Sequence, residues 1–143
     1  MRAQIKRNLL NRIKPIHRKY RAQKIDLFLR IAGNLGSQTR LLDVGGGPGV
    51  DGEFLDLYSH FGDVLVVNLD ATAFEAPPGI HLETLRADGR CLPFSSASFE
   101  WVFSNAVIEH VGGWNDQLRF AQEIRRVASK GYFVTTPNPL FSG

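Results

Sequence analysis

The stretch Leu41-Leu42-Asp43-Val44-Gly45-Gly46-Gly47-Pro48-Gly49 decides the fold of this chain. A short apolar run, with an acid near its end, leads straight into a cluster of glycines. Without a Cβ, such a turn brings backbone N–H groups close to a ligand. The next apolar run, Val64-Leu65-Val66-Val67-Asn68-Leu69, closes on a second acid, Asp70. Strand, glycine loop, helix and a strand ending in a carboxylate make half of a nucleotide-binding α/β sheet.

Working outward, the pattern predicts strands at Arg40–Val44, Val64–Leu69, Ile80–Arg86, Phe99–Ser104 and Tyr132–Thr135. A helix from about Asp51 to His60 joins the first two strands. Another spans Trp114–Ser129, with Leu118, Ala121, Ile124 and Ala128 inward. Between Ala71 and Gly79 the Pro77-Pro78 pair leaves room for one helical turn at most. Strands separated by helical segments predict a doubly wound parallel α/β sheet. Phe94, Phe99, Trp101 and Phe103 read as core or loop anchors.

Upstream, Pro15 is expected to end a first helix. A second helix from about His17 to Ala32 then carries Ile25, Phe28, Leu29 and Ala32 on one face. The expected organisation is a basic helical segment over 1–33 and a sheet domain over 34–143. At 143 residues, with 43% hydrophobic and 22% charged content, there is room for one sizeable core. The single Cys91 excludes an internal disulfide, and no Cys/His spacing suggests zinc or another metal. A reducing, cytoplasmic setting follows as the simplest expectation.

The net charge of +3 hides an asymmetry. Residues 1–30 hold ten of the 17 Lys and Arg against one acid, Asp26, a net +9; the remainder carries −6. Ile5, Leu9, Ile13 and Ile16 recur at near-helical spacing among Arg2, Lys6, Arg7, Arg12 and Lys14. Two readings stay open. One is a basic amphipathic helix against anionic lipid or nucleic acid, the other a solvated helix packed on the domain or over a substrate cleft. An organelle presequence is set aside, since the segment has no serine and no obvious cleavage site.

Two cofactor classes compete for the loop. Gly47-Pro48-Gly49-Val50-Asp51-Gly52 satisfies the dinucleotide pattern G-x-G-x-x-G, but the strand meets glycine two residues too early for it. The phase fits Gly45, Gly47 and Gly49 preceded by Asp43. Here the sequence resembles the class I S-adenosylmethionine-dependent methyltransferases, in their small-molecule-type branch. The resemblance covers about residues 40 to 138. It rests on the order of LLDVGGGPG, NLDAT, ADGRCLPFSSASFEWV, FSNAVIEHV and GYFVTTPN.

The resemblance implies S-adenosylmethionine as cofactor, with Gly45, Gly47 and Gly49 passing beneath it and leaving no room for a Cβ. Asp43 would hold its amino-acid end through the ammonium. Asp70 would accept from the ribose hydroxyls. Asp88 would accept from the adenine amine, Gly89 would add a backbone contact, and Asn105 would lie by the methionine end. Each acid also has a local alternative: a cap of the glycine turn for Asp43, an Asx-turn for Asp88, a cap of the next turn for Asp70. Ala106 replaces the first acid of the E-x-x-E-H set of metal-dependent relatives, leaving Glu109 and His110 too few for a metal site. His110 could be a general base or a structural histidine; no catalytic residue is assigned.

The family's Rossmann-like sheet has seven strands, and about five are expected here. Strand five would then present an open edge for self-association, and the chain would be a C-terminally truncated enzyme or cofactor-binding fragment. The alternative is a non-catalytic interaction protein on a methyltransferase-like scaffold, contacting its partner through the basic segment.

Overall fold

The computed structural model describes residues 2–48, 52–70 and 73–137, those before Pro15 and Glu53 in backbone only. The chain divides into two compact units, residues 1–33 and 34–143.

The first unit is one helix, α1, Arg2–Ala32, with Pro15 inside it. The expected break at Pro15 is therefore corrected. A proline removes one hydrogen bond and crowds one carbonyl. Most residues on either side of Pro15 are sound helix formers such as Arg, Lys, Leu and Gln, and with them the helix runs through.

The second unit is built on β1 (Arg40–Val44), α2 (Glu53–Tyr58), β2 (Asp63–Asn68), β3 (His81–Arg86), β4 (Phe99–Asn105), α3 (Trp114–Val127) and β5 (Ala128–Thr135). The sheet is five-stranded, in the order β3-β2-β1-β4-β5, and each pairing is parallel. It is the doubly wound, Rossmann-like sheet expected from the sequence. β1 is central, so Leu41, Leu42, Asp43 and Val44 are all buried. The two halves of the sheet diverge from it, and the crevice at its carboxyl end is the topological switch point where such sheets bind ligands.

Alternation along β1 sends Leu42 and Val44 to one face and Leu41 and Asp43 to the other. On the first face α3 packs Phe120, Ile124 and Val127 into one cluster with Leu42, Val44, Val67, Phe99 and Val102. The inward face of α3 is thus rotated from the expected one. Leu118 is 45% exposed and Ala121 is exposed, whereas Ile124 is buried as expected and Ala128, already in β5, packs against the cluster. Phe120, Ile124 and Val127 form an equally good i, i+4, i+7 stripe, and its aromatic ring buries more area than Ala121 could. The other face receives α2, through Tyr58 against Asp43 and the Phe54 ring 6.2 Å from that of Phe103. α2 is shorter than expected at both ends; Asp51 lies outside the described residues. Residues 73–77 carry no regular structure, and no crossover helix is described between β2 and β3.

Phe99 and Phe103 are buried and Phe94 and Trp101 half-buried, Phe94 edge-on to Phe99 at 5.1 Å. Among the described residues, no helix is long and apolar enough to cross a membrane.

Candidate functional site

The glycine loop leaves β1 by a forced turn. Gly45 has φ 79°, a left-handed conformation, and a Cβ there would sit 2.5 Å from Val107 Cγ2. Three bonds then fix the loop. The Gly45 N–H donates to the Val67 carbonyl at 2.7 Å, Asn68 Nδ2 donates to the Gly46 carbonyl at 3.1 Å, and the Tyr58 hydroxyl reaches the Gly47 carbonyl at 3.2 Å. The Ser104 hydroxyl donates to the Val44 carbonyl at 2.8 Å, tying β4 to the end of β1.

The room that protein neighbours leave for a Cβ differs along the loop. Gly45 lacks room, but its neighbour is protein. Gly47 is open, with nothing within 4 Å of a Cβ placed there. Among the described loop residues the tightest position is Gly46, whose Cβ would run into the Asp43 carboxylate. Gly49 lies outside the described residues.

Asp43 is 1% exposed. Its Oδ2 accepts a 2.6 Å hydrogen bond from Tyr58, whereas its buried Oδ1 has no partner among the described residues. Burial disfavours the charged form more than the Tyr58 bond supports it, and the carboxyl is pushed up to about 7. The Tyr58 hydroxyl is driven the same way by burial and by the adjacent carboxylate. One hydroxyl proton faces two acceptors. With Asp43 ionised, Tyr58 donates to it; with Asp43 protonated, Asp43 can donate to Tyr58 and Tyr58 to the Gly47 carbonyl. The site therefore holds one labile proton beneath the loop. It also holds an unsatisfied acceptor of the kind that a cation or N–H donor would complete.

Three clefts open around the loop. One of about 250 Å³ is lined by Asp43, Gly45, Gly46, Gly47, Phe54, Phe103 and Asn105. Another, of about 200 Å³, holds Gly46, Gly47, Asn68, Asp70 and Phe74 in its wall. The largest, about 510 Å³, runs from Val44, Gly45 and Val67 across Asp88, Gly89 and Arg90 to Val107 and His110. The loop thus joins Asp43 with Asn105 on one side and Asp70 on the other, while Asp88 and Gly89 border the third cleft. Asn105 Oδ1 accepts from the Thr135 hydroxyl at 2.7 Å, and Ala106 after it has φ 57°.

Asp88 stands in an Asx-turn and more. The Arg90 backbone N–H donates to its Oδ1 at 2.9 Å, and the Arg90 guanidinium reaches Oδ1 and Oδ2 through Nε at 3.1 Å each and Oδ2 through Nη2 at 2.8 Å. These bonds hold the carboxyl below its ordinary range. Arg90 also pairs with Asp116 at 3.2 Å. At Gly89, a Cβ would run into the Phe120 ring, so this glycine answers to the core.

Glu109 and His110 fall in a single 3-10 turn, Ile108–His110. His110 is exposed on the rim of the largest cleft, with Nε2 3.9 Å from Glu109 Oε1. Among the described residues, no three His, Cys, Asp or Glu side chains gather as metal ligands.

The residues not anticipated are Tyr58, Gly46, Val107 and Arg90. Tyr58 had a signal: it is an apolar-face position of α2 whose hydroxyl, once buried, must find a partner. Arg90 had one as well, two residues beyond an Asp at a turn.

A model of the methyltransferase domain matches residues 42–135, and this span begins inside β1 and ends with β5. This chain belongs to the methyltransferase-domain family. Its fold is shared with solved structures of low identity. The YcgJ protein of Bacillus subtilis is 19% identical with a TM-score of 0.56, over 76% of this chain and 47% of that one. A SAM-dependent methyltransferase of Aquifex aeolicus is 15% identical with a TM-score of 0.51, over 73% and 58%. One from Methanosarcina mazei is 18% identical with a TM-score of 0.54, over 71% and 52%. The chain spans about half the length of these proteins. No curated protein matches it in sequence.

Proposed function

We propose that this chain binds S-adenosylmethionine at the Gly45–Gly47 loop and serves methyl transfer to a small-molecule acceptor. The observation that carries the reading is the Asp43 carboxyl, buried at the switch point with Oδ1 unsatisfied beside a glycine whose Cβ space is open. The cofactor's ammonium is the complementary donor, and the membership of the methyltransferase family supports the choice. A buried acid without a partner is unfavourable unless a ligand or proton completes it.

In this proposal Asp43 holds the ammonium and Asn105 lines the same end. Gly45 and Gly47, with Gly49, shape the loop below. Asp70, exposed beside the second cleft, accepts from the ribose hydroxyls. Asp88 accepts from the adenine amine through the lone pairs that Arg90 leaves, over a floor set by Gly89. When bound, the cofactor supplies an electrophilic methyl group on a sulfonium. The chain's own residues bind and orient, since in-line displacement gains chiefly from positioning. An intracellular setting, suggested by the lone exposed Cys91, is part of the same proposal. Among the described strands β5 is an edge exposing Tyr132, and pairing of a further strand or a second copy there belongs to the proposal as well.

Calorimetric titration with S-adenosylhomocysteine, with NAD in parallel, tests the reading. We expect binding of the first and none of the second. Gly47→Ala, which the open space should let fold normally, should weaken binding at least about tenfold if the ligand fills that space. Binding of NAD alone would instead revive the dinucleotide reading. A folded sample that binds neither would favour the interaction scaffold.

A further inference from the structure

α1 carries a stripe of exposed apolar side chains. Ile16, Tyr20, Leu27 and Ile31 are 55%, 58%, 50% and 56% exposed, whereas Phe28 is buried. Their spacings of four, seven and four residues place them within about 60° of one another on a helix of 3.6 residues per turn. Lys24 falls on one flank of this stripe and Lys19 and Arg30 on the other. The one acid of residues 1–30, Asp26, is tied to Arg30 at 2.7 Å. Five further bases, Arg2, Lys6, Arg7, Arg12 and Lys14, precede Pro15 in the same helix.

We propose that α1 lies lengthwise on an anionic lipid bilayer, its stripe at the boundary between headgroups and acyl chains. The stripe gives the surface apolar depth, and Tyr20 suits an interface with one wet and one apolar side. Lys19, Lys24 and Arg30 extend their aliphatic stems along the stripe and place their charges among the headgroups. Charge complementarity selects this occupant. A second copy would bring two +9 segments together. Nucleic acid would use the bases through its phosphates but has no use for four exposed apolar side chains in line. The inference does not rest on the methyltransferase reading; it would place the second unit at a membrane surface, near acceptors that reside there.

The test is flotation of the full chain with vesicles of phosphatidylcholine alone and of phosphatidylcholine mixed with phosphatidylserine. We expect binding to the mixed vesicles, weakened by salt and at least about tenfold weaker for Leu27→Ser/Ile31→Ser and for Lys19→Glu/Lys24→Glu. Leu27, Ile31 and Lys19 are exposed and Lys24 is half-buried on a solvated flank, so circular dichroism and S-adenosylhomocysteine affinity should match the parent. No preference for the anionic vesicles overturns the proposal. So does binding to a single-stranded RNA without vesicle binding, or a light-scattering dimer that the Leu27→Ser/Ile31→Ser pair dissolves.

Discussion

Asp43 and Asp88 are both acids at the carboxyl edge of one sheet, and the fold treats them in opposite ways. Asp43 is sealed in, with one hydrogen bond from Tyr58 and one oxygen unsatisfied, and its carboxyl is pushed up to about 7. Asp88 is part-exposed, bound four ways by Arg90, and held below the ordinary carboxylate range. Desolvation governs the first and local hydrogen bonding the second. The lesson is about availability. In the proposed site, the acid with the poorer environment is the one a ligand would complete, while the well-satisfied acid first has its turn to hold.

The largest expected effect comes from neutralising Asp43. Asp43→Asn keeps shape and an acceptor for Tyr58 but cannot pair with an ammonium. Binding of S-adenosylhomocysteine should fall between about tenfold and a hundredfold, the range of a charge-assisted hydrogen bond. Stability should move the other way. The folded-state carboxyl titrates near 7 and the unfolded one near 3.8. The group's contribution is therefore fully present below 3.8 and is lost as pH rises through about 7. Asp43→Asn should remove that decline, so urea melts at pH 8 should show a variant at least as stable as the parent. An equal loss of stability and binding would make Asp43 a structural residue and end the contrast.

The same proton predicts a pH profile. If the ligand needs the ionised carboxylate, affinity should rise as pH increases through about 7, with a proton released on binding below that point. Calorimetry in buffers of different ionisation enthalpy reads the proton directly. A flat profile from pH 6 to 8 would put the ammonium elsewhere. Tyr58→Phe sharpens this. It strips the buried carboxylate of its hydrogen bond and frees the Gly47 carbonyl, which should destabilise the protein by about 1–3 kcal/mol. The Tyr58 bond lowers the Asp43 titration, so the binding profile of the variant should shift to higher pH. A purely packing role for the ring would leave that profile where it was.

What could be read from residue order was what depends on residue order. The strand–glycine–helix phase, the parallel sheet and the placing of Asp43 at the end of β1 are local patterns, and the structure has them. What escaped depended on which of two acceptable solutions packing chose. On α3, Leu118–Ala121–Ile124 and Phe120–Ile124–Val127 are both helical stripes, and the larger area that the Phe120 ring buries beside Val44 favours the second. At Gly46 the constraint is a carboxylate folded back from three residues earlier, invisible without the turn of Gly45. Pro15 is the reverse case: a strong local rule overruled by the helical preference on either side.

The smallest expected effect is at the other acid. Asp88→Asn removes the ionic part of the Arg90 clamp but keeps an acceptor for the Arg90 N–H, so the turn should persist. Because the depressed folded-state carboxyl contributes stability above the unfolded value of 3.8 and loses it as pH falls through its own, any loss should be seen near neutral pH and vanish in acid. Both partners are more than a third exposed, and the loss should stay within the small range of surface ion pairs. Cofactor affinity separates the two roles left to this residue. An amide still offers a carbonyl to an adenine amine, so a turn-holder that also touches adenine should keep most of its affinity in Asp88→Asn and lose it in Asp88→Ala. If Asp88→Ala binds S-adenosylhomocysteine as the parent does, Asp88 serves Arg90 alone, and the contrast with Asp43 becomes complete.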